Sequence, residues 1–156
     1  MPKEIKIDEV DVKILETLMK DAKKPYTEVA KKVYVSGGTV HVRMRKLEEA
    51  GIVEGTTLQV NYSKLGFDVT AFIGVFLEKS EMYDKVIEEL KKIDEITSMH
   101  YTTGNYSIFC RLHCRDTKHL KDVLHDKIQK VNGIERTDTM ISLEESLNRN
   151  IKLTGN

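Results

Sequence analysis

Two short amphipathic stretches of this chain are joined by only three residues, Tyr34-Val35-Ser36. A link that short between helices permits few crossing geometries, and it constrains the fold of the first third more than any other feature. After Pro25, Val29, Ala30 and Val33 share one helical face; after Ser36, Val40, Met44 and Leu47 share another. At about 100° per residue, the last three fall within about 60° of one another. Ser36 is a natural N-cap for that helix, and Gly51 ends it. Ala30 is small where the two helices cross, and Val35 plugs the turn into the core. An earlier helix runs from about Asp8 to Lys20. Asp8 is its N-cap, Ile7 and Val12 sit in hydrophobic-staple positions, and Ile14, Leu15 and Leu18 carry the apolar stripe. The run DAKKP then breaks it. Three helices with this turn match the helix-turn-helix pattern.

An ordinary helical hairpin would show the same core, so the polar face of the third helix decides. Opposite its apolar stripe lie Gly38, His41, Val42 and Arg45. Val42 is wasted in water but useful against a thymine methyl, Arg45 suits a guanine edge or a phosphate, and His41 suits a base edge. Gly37 and Gly38 bring the free N–H groups of the helix start close to a phosphate. The charge distribution agrees. The whole chain has 25 basic and 25 acidic residues, a net charge of +0. Residues 20 to 46 nevertheless hold eight bases and two acids, a net of +6.

The pattern changes after residue 66. FDVTAFIGVFL, residues 67–77, is rich in β-branched and aromatic residues and reads as a strand. Ser80 caps a helix with Tyr83, Val86, Ile87 and Leu90 on one face. Strands follow at about 95–103 and 106–114, on either side of a turn at Gly104-Asn105. Asp116 caps a second helix with Leu120, Val123, Leu124 and Ile128 inward, and a last strand runs from about Ile134 to Leu143. The order βαββαβ predicts a ferredoxin-like sheet with helices on one face. The chain is therefore α+β: a helix-turn-helix (winged-helix-like) domain over 1–53, a strand and linker over 54–66, and a ferredoxin-like domain over 67–156. Such a sheet leaves one face uncovered, with Phe72, Val75 or Phe109 on it depending on register, and a second subunit is the economical cover.

The stretch IDEVDVKILETLMKDAKKPYTEVAKKVYVSGGTVHVRMRKLEEAGIVEG resembles the DNA-binding half of the Lrp/AsnC (feast/famine) transcription regulators. Matching features are Asp8 and Asp11 with Ile14-Leu15, Glu28-Val29-Ala30, Ser36 with Thr39-Val40, and above all the run from Arg43 to Val53. The likeness continues through Leu65-Gly66 and the second half. Tyr34 stands where the family usually has glycine, and Gly37-Gly38 replaces more typical Pro- or Ser-containing pairs. The resemblance implies a sequence-specific regulator of transcription that binds double-stranded DNA through Lys31, Lys32, Ser36, Gly37, Gly38, Thr39, His41, Val42, Arg45 and Lys46. It also implies an amino-acid effector held between dimers at the turn Thr102, Thr103, Gly104, Asn105 and Tyr106, with Thr137 and Thr139 as further candidates. Ser107 stands where the family often has an acid, which removes one ammonium partner. The family's homodimers assemble further, often into octamers.

Enzymatic constellations are sparse. There is no P-loop, dinucleotide fingerprint or G-x-S-x-G. His100, Cys110, His113 and Cys114 invite a zinc reading, but neighbouring strand residues point to opposite faces, so His113 and Cys114 do not share a metal easily. Cys110 and Cys114 would sit about 13 Å apart along one strand, beyond disulfide reach. They are expected as free thiols in a reducing cytoplasm. No catalytic residue, metal or cofactor is expected. The alternative is a haem-biosynthesis decarboxylase of the same architecture, in which Arg111, His113 and His119 would serve a tetrapyrrole carboxylate; the basic 20–46 segment argues against it. MPKEIKIDE has no apolar signal-peptide core. The most apolar run, residues 69–77, falls far short of the roughly 20 residues needed to span a bilayer. A cytoplasmic protein without a membrane partner is the expectation.

Overall fold

Asp8 starts the first helix by accepting hydrogen bonds from the N–H groups of Val10 and Asp11, both at 2.9 Å, while the Asp11 carboxylate accepts one from the Asp8 N–H at 3.1 Å. This reciprocal cap opens α1 (Glu9–Lys20) in the computed structural model of the chain, which describes residues 6–154. Positions 1–5 and 155–156, the first part of the segment read as lacking a signal peptide and the ends of the two outer predicted domains, lie outside the described residues. Two compact units emerge. The first is the chain up to Gln59 together with the chain from Leu147 onward; the second is Val60–Ser146.

In the first unit, Pro25 precedes α2 (Tyr26–Val33), and α3 (Gly37–Glu49) follows the Ser36 cap. Ile14, Val29, Ala30, Val33, Val40, Met44 and Leu47 are buried together, as their helical spacing requires. Gly51 takes a φ of 70° just past α3, the left-handed conformation in which a β-carbon is penalised. The C-terminal segment returns to α1. Asn150 Nδ2 donates to the Met19 carbonyl at 3.0 Å. Glu16 Oε1 accepts from Leu153 N, Thr154 N and Thr154 Oγ1 at 3.0, 2.8 and 2.7 Å. The hydrogen bonds from Thr154 hold the Glu16 carboxyl below its ordinary range. Sequence patterning alone assigned this segment to the second domain.

The linker differs from its sequence reading. No strand forms over residues 54–62, although Leu58, Val60 and Tyr62 alternate as strand residues would and all three are exposed. Alternation supplies a face but not a partner: a strand persists only where a neighbouring edge takes its N–H and C=O groups.

The second unit is a four-stranded antiparallel sheet in the order β2-β3-β1-β4, made of β1 (Val69–Leu77), β2 (Ile96–Tyr101), β3 (Ile108–Cys114) and β4 (Ile134–Ile141). Helices α4 (Tyr83–Leu90) and α5 (Thr117–Asp122) complete it, α5 running on through a π turn over Val123–Lys127 and a 3-10 turn over Ile128–Lys130. Alternation sorts the faces. Ala71, Ile73 and Val75 of β1 and Ile108, Cys110, Leu112 and Cys114 of β3 form one core with Val86, Leu90, Leu120, Val123 and Ile128. Register therefore puts Val75 under the helices and leaves Phe72 and Phe109 on the open face, stacked at 5.7 Å between centroids. Tyr106 lies over Gly74 on that face, where a β-carbon would collide with its ring. Phe76 meets Tyr106 edge-on at 5.2 Å, and the Arg136 guanidinium sits 3.8 Å above the Phe76 ring.

Candidate nucleic-acid interface

The start of α3 is built from hydroxyls and bare backbone. Ser36 Oγ accepts from Thr39 N at 3.1 Å and shares a 2.8 Å hydrogen bond with Thr39 Oγ1. Both hydroxyls are thus tied into the cap. The first N–H groups of a helix lack intrahelical acceptors, so those of Gly37 and Gly38 are available to an outside acceptor. Neither glycine is demanded by backbone conformation or crowding. A β-carbon on Gly37 would meet Thr27 Cγ2 at 3.7 Å, and one on Gly38 would meet only Ser36 Oγ at 3.9 Å, both ordinary van der Waals contacts.

The outward face carries the side chains that the helical wheel put there. Val42 is 56% exposed on this face. Arg45 and Lys46 are exposed beyond it, and Lys31 and Lys32 are exposed at the end of α2. A groove on this face is lined by Lys6, Ser36, Gly38, Thr39, Val42 and Lys46, together with the ion-paired Asp8, Asp11 and Arg43. His41 is exposed as well, but its ring is braced edge-on against Tyr26 at 5.5 Å, a contact that no sequence periodicity announced.

Two of the eight bases counted over 20–46 are otherwise engaged. Lys24 lies between Asp21 and Glu28, at 3.7 and 3.8 Å. Arg43 Nη1 reaches back to Asp8 Oδ2 at 2.7 Å and Asp11 Oδ1 at 2.8 Å. The Arg43 guanidinium, hydrogen-bonded to Asp8, holds that carboxyl down at about 2, and the two carboxylates raise the arginine in turn. Arg43 therefore ties α3 to the start of α1, and Arg45 is the arginine left facing outward. Positional reasoning could have found this, because Arg43 falls at the edge of the buried stripe, but its partners lie over thirty residues away.

In the second unit, the turn after β2 is closed by its own atoms. Thr102 Oγ1 donates to the Tyr106 carbonyl at 2.6 Å, Thr102 N to the Ser107 carbonyl at 3.2 Å, and Ser107 N to the Val75 carbonyl at 2.9 Å. Thr103, Gly104 and Asn105 are exposed at its tip. Thr137 and Thr139 pair with Val75 and Ile73, so they share the helix side of the sheet, whereas the Tyr106 ring lies on the open side. One chain thus does not bring the turn's aromatic ring and these two threonines around a common point.

The residues considered for other chemistry are also dispersed. Arg111 and His113 are on the open face, where His113 Nδ1 meets Thr70 Oγ1 at 3.1 Å and the ring stacks on Tyr62 at 4.7 Å. Burial lowers the His113 pKa, with the Arg111 charge adding to the effect. His119 belongs to the helix layer, hydrogen-bonded to Glu95 at 3.1 Å and to the Arg115 N–H at 3.1 Å. No single ligand carboxylate is offered all three. Cys110 and Cys114 are free and buried on the helix side, and burial pushes the Cys110 thiol up to about 11. Among the described residues, no group of three or more His, Cys, Asp or Glu is placed to hold a metal. No helix among them is long and apolar enough to cross a membrane.

Comparison with known proteins converges on one lineage. Residues 7–54 match the family model described as winged helix-turn-helix DNA-binding, and residues 70–151 match the Lrp/AsnC ligand binding domain. The regulatory protein AsnC of Haemophilus influenzae is 45% identical over 146 residues, 94% of this chain and 97% of that protein. The solved structure of E. coli AsnC superimposes with a TM-score of 0.91 at 42% identity, covering 95% of this chain and 99% of the other. A Neisseria meningitidis transcriptional regulator crystallised with L-Met shares the fold, with a TM-score of 0.88 at 21% identity over 92% of this chain and 94% of its own.

Proposed function

This chain belongs to the Lrp/AsnC family of DNA-binding transcription regulators, and on that premise we propose that it reads its operator with the outward face of α3. Arg45, Val42 and His41 contact base edges in the major groove, as a recognition helix does. The Gly37 and Gly38 N–H groups and the cations of Lys31, Lys32 and Lys46 hold the flanking phosphates. One observation carries the assignment: an exposed valine beside an arginine that is unpaired among the described residues, on a helix whose first turn is left bare by two glycines that the fold does not need.

The second unit binds a small effector, and an amino acid fits the exposed turn. Backbone N–H groups and the Asn105 amide at its tip suit a carboxylate. With Thr137 and Thr139 on the other side of the sheet, a ligand touching both groups is shared between copies of the chain. The open aromatic face around Phe72 and Phe109 supports a homodimer, sheet against sheet, with dimers assembling further, as far as octamers. Paired recognition helices then meet paired half-sites.

Selection of binding sites from random duplex DNA, with and without a panel of amino acids that includes L-methionine, tests the reading. An inverted-repeat site whose affinity shifts with one amino acid is expected. Enrichment of no sequence, or a particle of the 17.9 kDa monomer mass at micromolar concentration, would sink it.

A further inference from the structure

Tyr34 closes α2 in the left-handed conformation, with φ 59° and ψ 45°. Among the described residues it is the only non-glycine with positive φ. Such a position suits glycine, which has no β-carbon to crowd the following carbonyl, or asparagine, whose side chain bonds locally. Tyrosine gains nothing of the kind here. Its side chain is 94% exposed, and the bonds of the turn, Tyr34 N and Val35 N to the Ala30 carbonyl, are made by backbone that any residue supplies. A bulky aromatic is therefore held in an unfavourable conformation and presented to the outside, without a contact among the described residues that accounts for it. Strain kept in this way is a pointer to function.

The location says what it meets. Tyr34 lies two residues before the Ser36 cap, so the two Cα atoms are at most about 7 Å apart. A recognition helix enters the groove with its N-terminal end towards the bases, which puts the turn ahead of it at the DNA-proximal end of the unit. The major groove is about 12 Å wide between phosphate rims, so a long side chain beside the helix start reaches the rim rather than the floor. The exposed Lys31 and Lys32, three and two residues earlier in the chain, supply the positive charge that a phosphate rim attracts. We infer that the Tyr34 hydroxyl donates a hydrogen bond to a backbone phosphate of the operator, a contact that fixes register on the duplex without reading sequence. The inference rests on the assignment of α3 as the recognition helix.

Two variants of the full chain, Tyr34→Phe and Tyr34→Gly, test it beside Lys31→Ala. Tyr34→Phe keeps the ring and the strained backbone and removes only the donor. Loss of one hydrogen bond to a charged phosphate should weaken binding about 10- to 150-fold, equally on operator and unrelated duplex. Tyr34→Gly should weaken DNA binding by as much while its melting temperature holds or rises. Neither should change the slope of affinity against salt, because no charge is removed, whereas Lys31→Ala should flatten it. If both Tyr34 variants bind like wild type while Lys31→Ala weakens binding, the Tyr34 contact is overturned and the DNA face stands. If Tyr34→Gly weakens binding but Tyr34→Phe does not, the hydroxyl is not the contact, and the inference fails. If Lys31→Ala and Arg45→Ala also leave affinity unchanged, the recognition face is misassigned and the inference falls with it.

Discussion

Leucine in place of Gly38 should leave the DNA-binding unit at least as stable as before and weaken its hold on every DNA sequence. The stability side follows from the surroundings of the glycine. A β-carbon there meets one atom, Ser36 Oγ at 3.9 Å, and the backbone is ordinary helix. Removing a glycine from a helix gains up to about 1 kcal/mol. For a unit of this size, that would raise the melting temperature by up to about 4–8 °C. The binding side follows from the same openness. A leucine side chain on the first turn of α3 would hold the phosphate away from the Gly37 and Gly38 N–H groups. A hydrogen bond to a charged group is worth about 1.5–3 kcal/mol, so the loss should be about 10- to 150-fold. It should be the same on operator and non-operator duplex, since phosphate contacts carry no sequence. Thermal melting and fluorescence anisotropy on one preparation measure both. A lower melting temperature, with unchanged affinity per folded molecule, would show that Gly38 serves the fold and not the DNA.

Arg45→Ala should cost about 1–3 kcal/mol of specific binding and relax the preference at one position per half-site, which repeating site selection on the variant would reveal. Arg43→Ala should do something different: it leaves the buried Asp11 carboxylate without its charged partner and should lower stability by about 1–3 kcal/mol with operator affinity per folded molecule unchanged, as denaturant titration and binding on the same sample would show. The Asp8 carboxyl is depressed from 3.8 to about 2, so its contribution is complete above the ordinary value and disappears as pH falls towards about 2. The stability gap between wild type and Asp8→Asn should accordingly close over that interval, and a gap independent of pH would remove Asp8 from the account. Gly74→Ala drives a methyl into the Tyr106 ring, and overpacking of this kind should cost about 1–3 kcal/mol in urea unfolding and displace the ring from the open face, seen as altered tyrosine fluorescence.

Much of this protein is written in short-range pattern. Asp8, Ser36 and Asp116 announce helix starts because an N-cap acts on N–H groups two or three residues ahead. The buried faces of α2, α3, β1 and β3 follow from periods of 3.6 and 2, which are set by backbone geometry alone. Helix periodicity also separates the exposed Val42 and Arg45 from the buried Met44 and Leu47, so the outward face of α3 is legible in the sequence.

Tertiary structure decided whatever depends on a partner distant in sequence. Arg43 and Arg45 look alike in a string of bases, and only the return of α3 onto Asp8 and Asp11 turns one inward. The linker has the alternation of a strand yet forms none, because alternation cannot provide the edge that a strand needs. Gly74 reads as a weak point in a strand until register brings the Tyr106 ring across it. The segment after Leu147 has no period to place it, and only the hydrogen bonds to Glu16 and Met19 put it on α1. Caps and periods are local and leave their mark in neighbouring residues; pairing, register and close approach depend on where the chain goes in space, and no short window of sequence carries that.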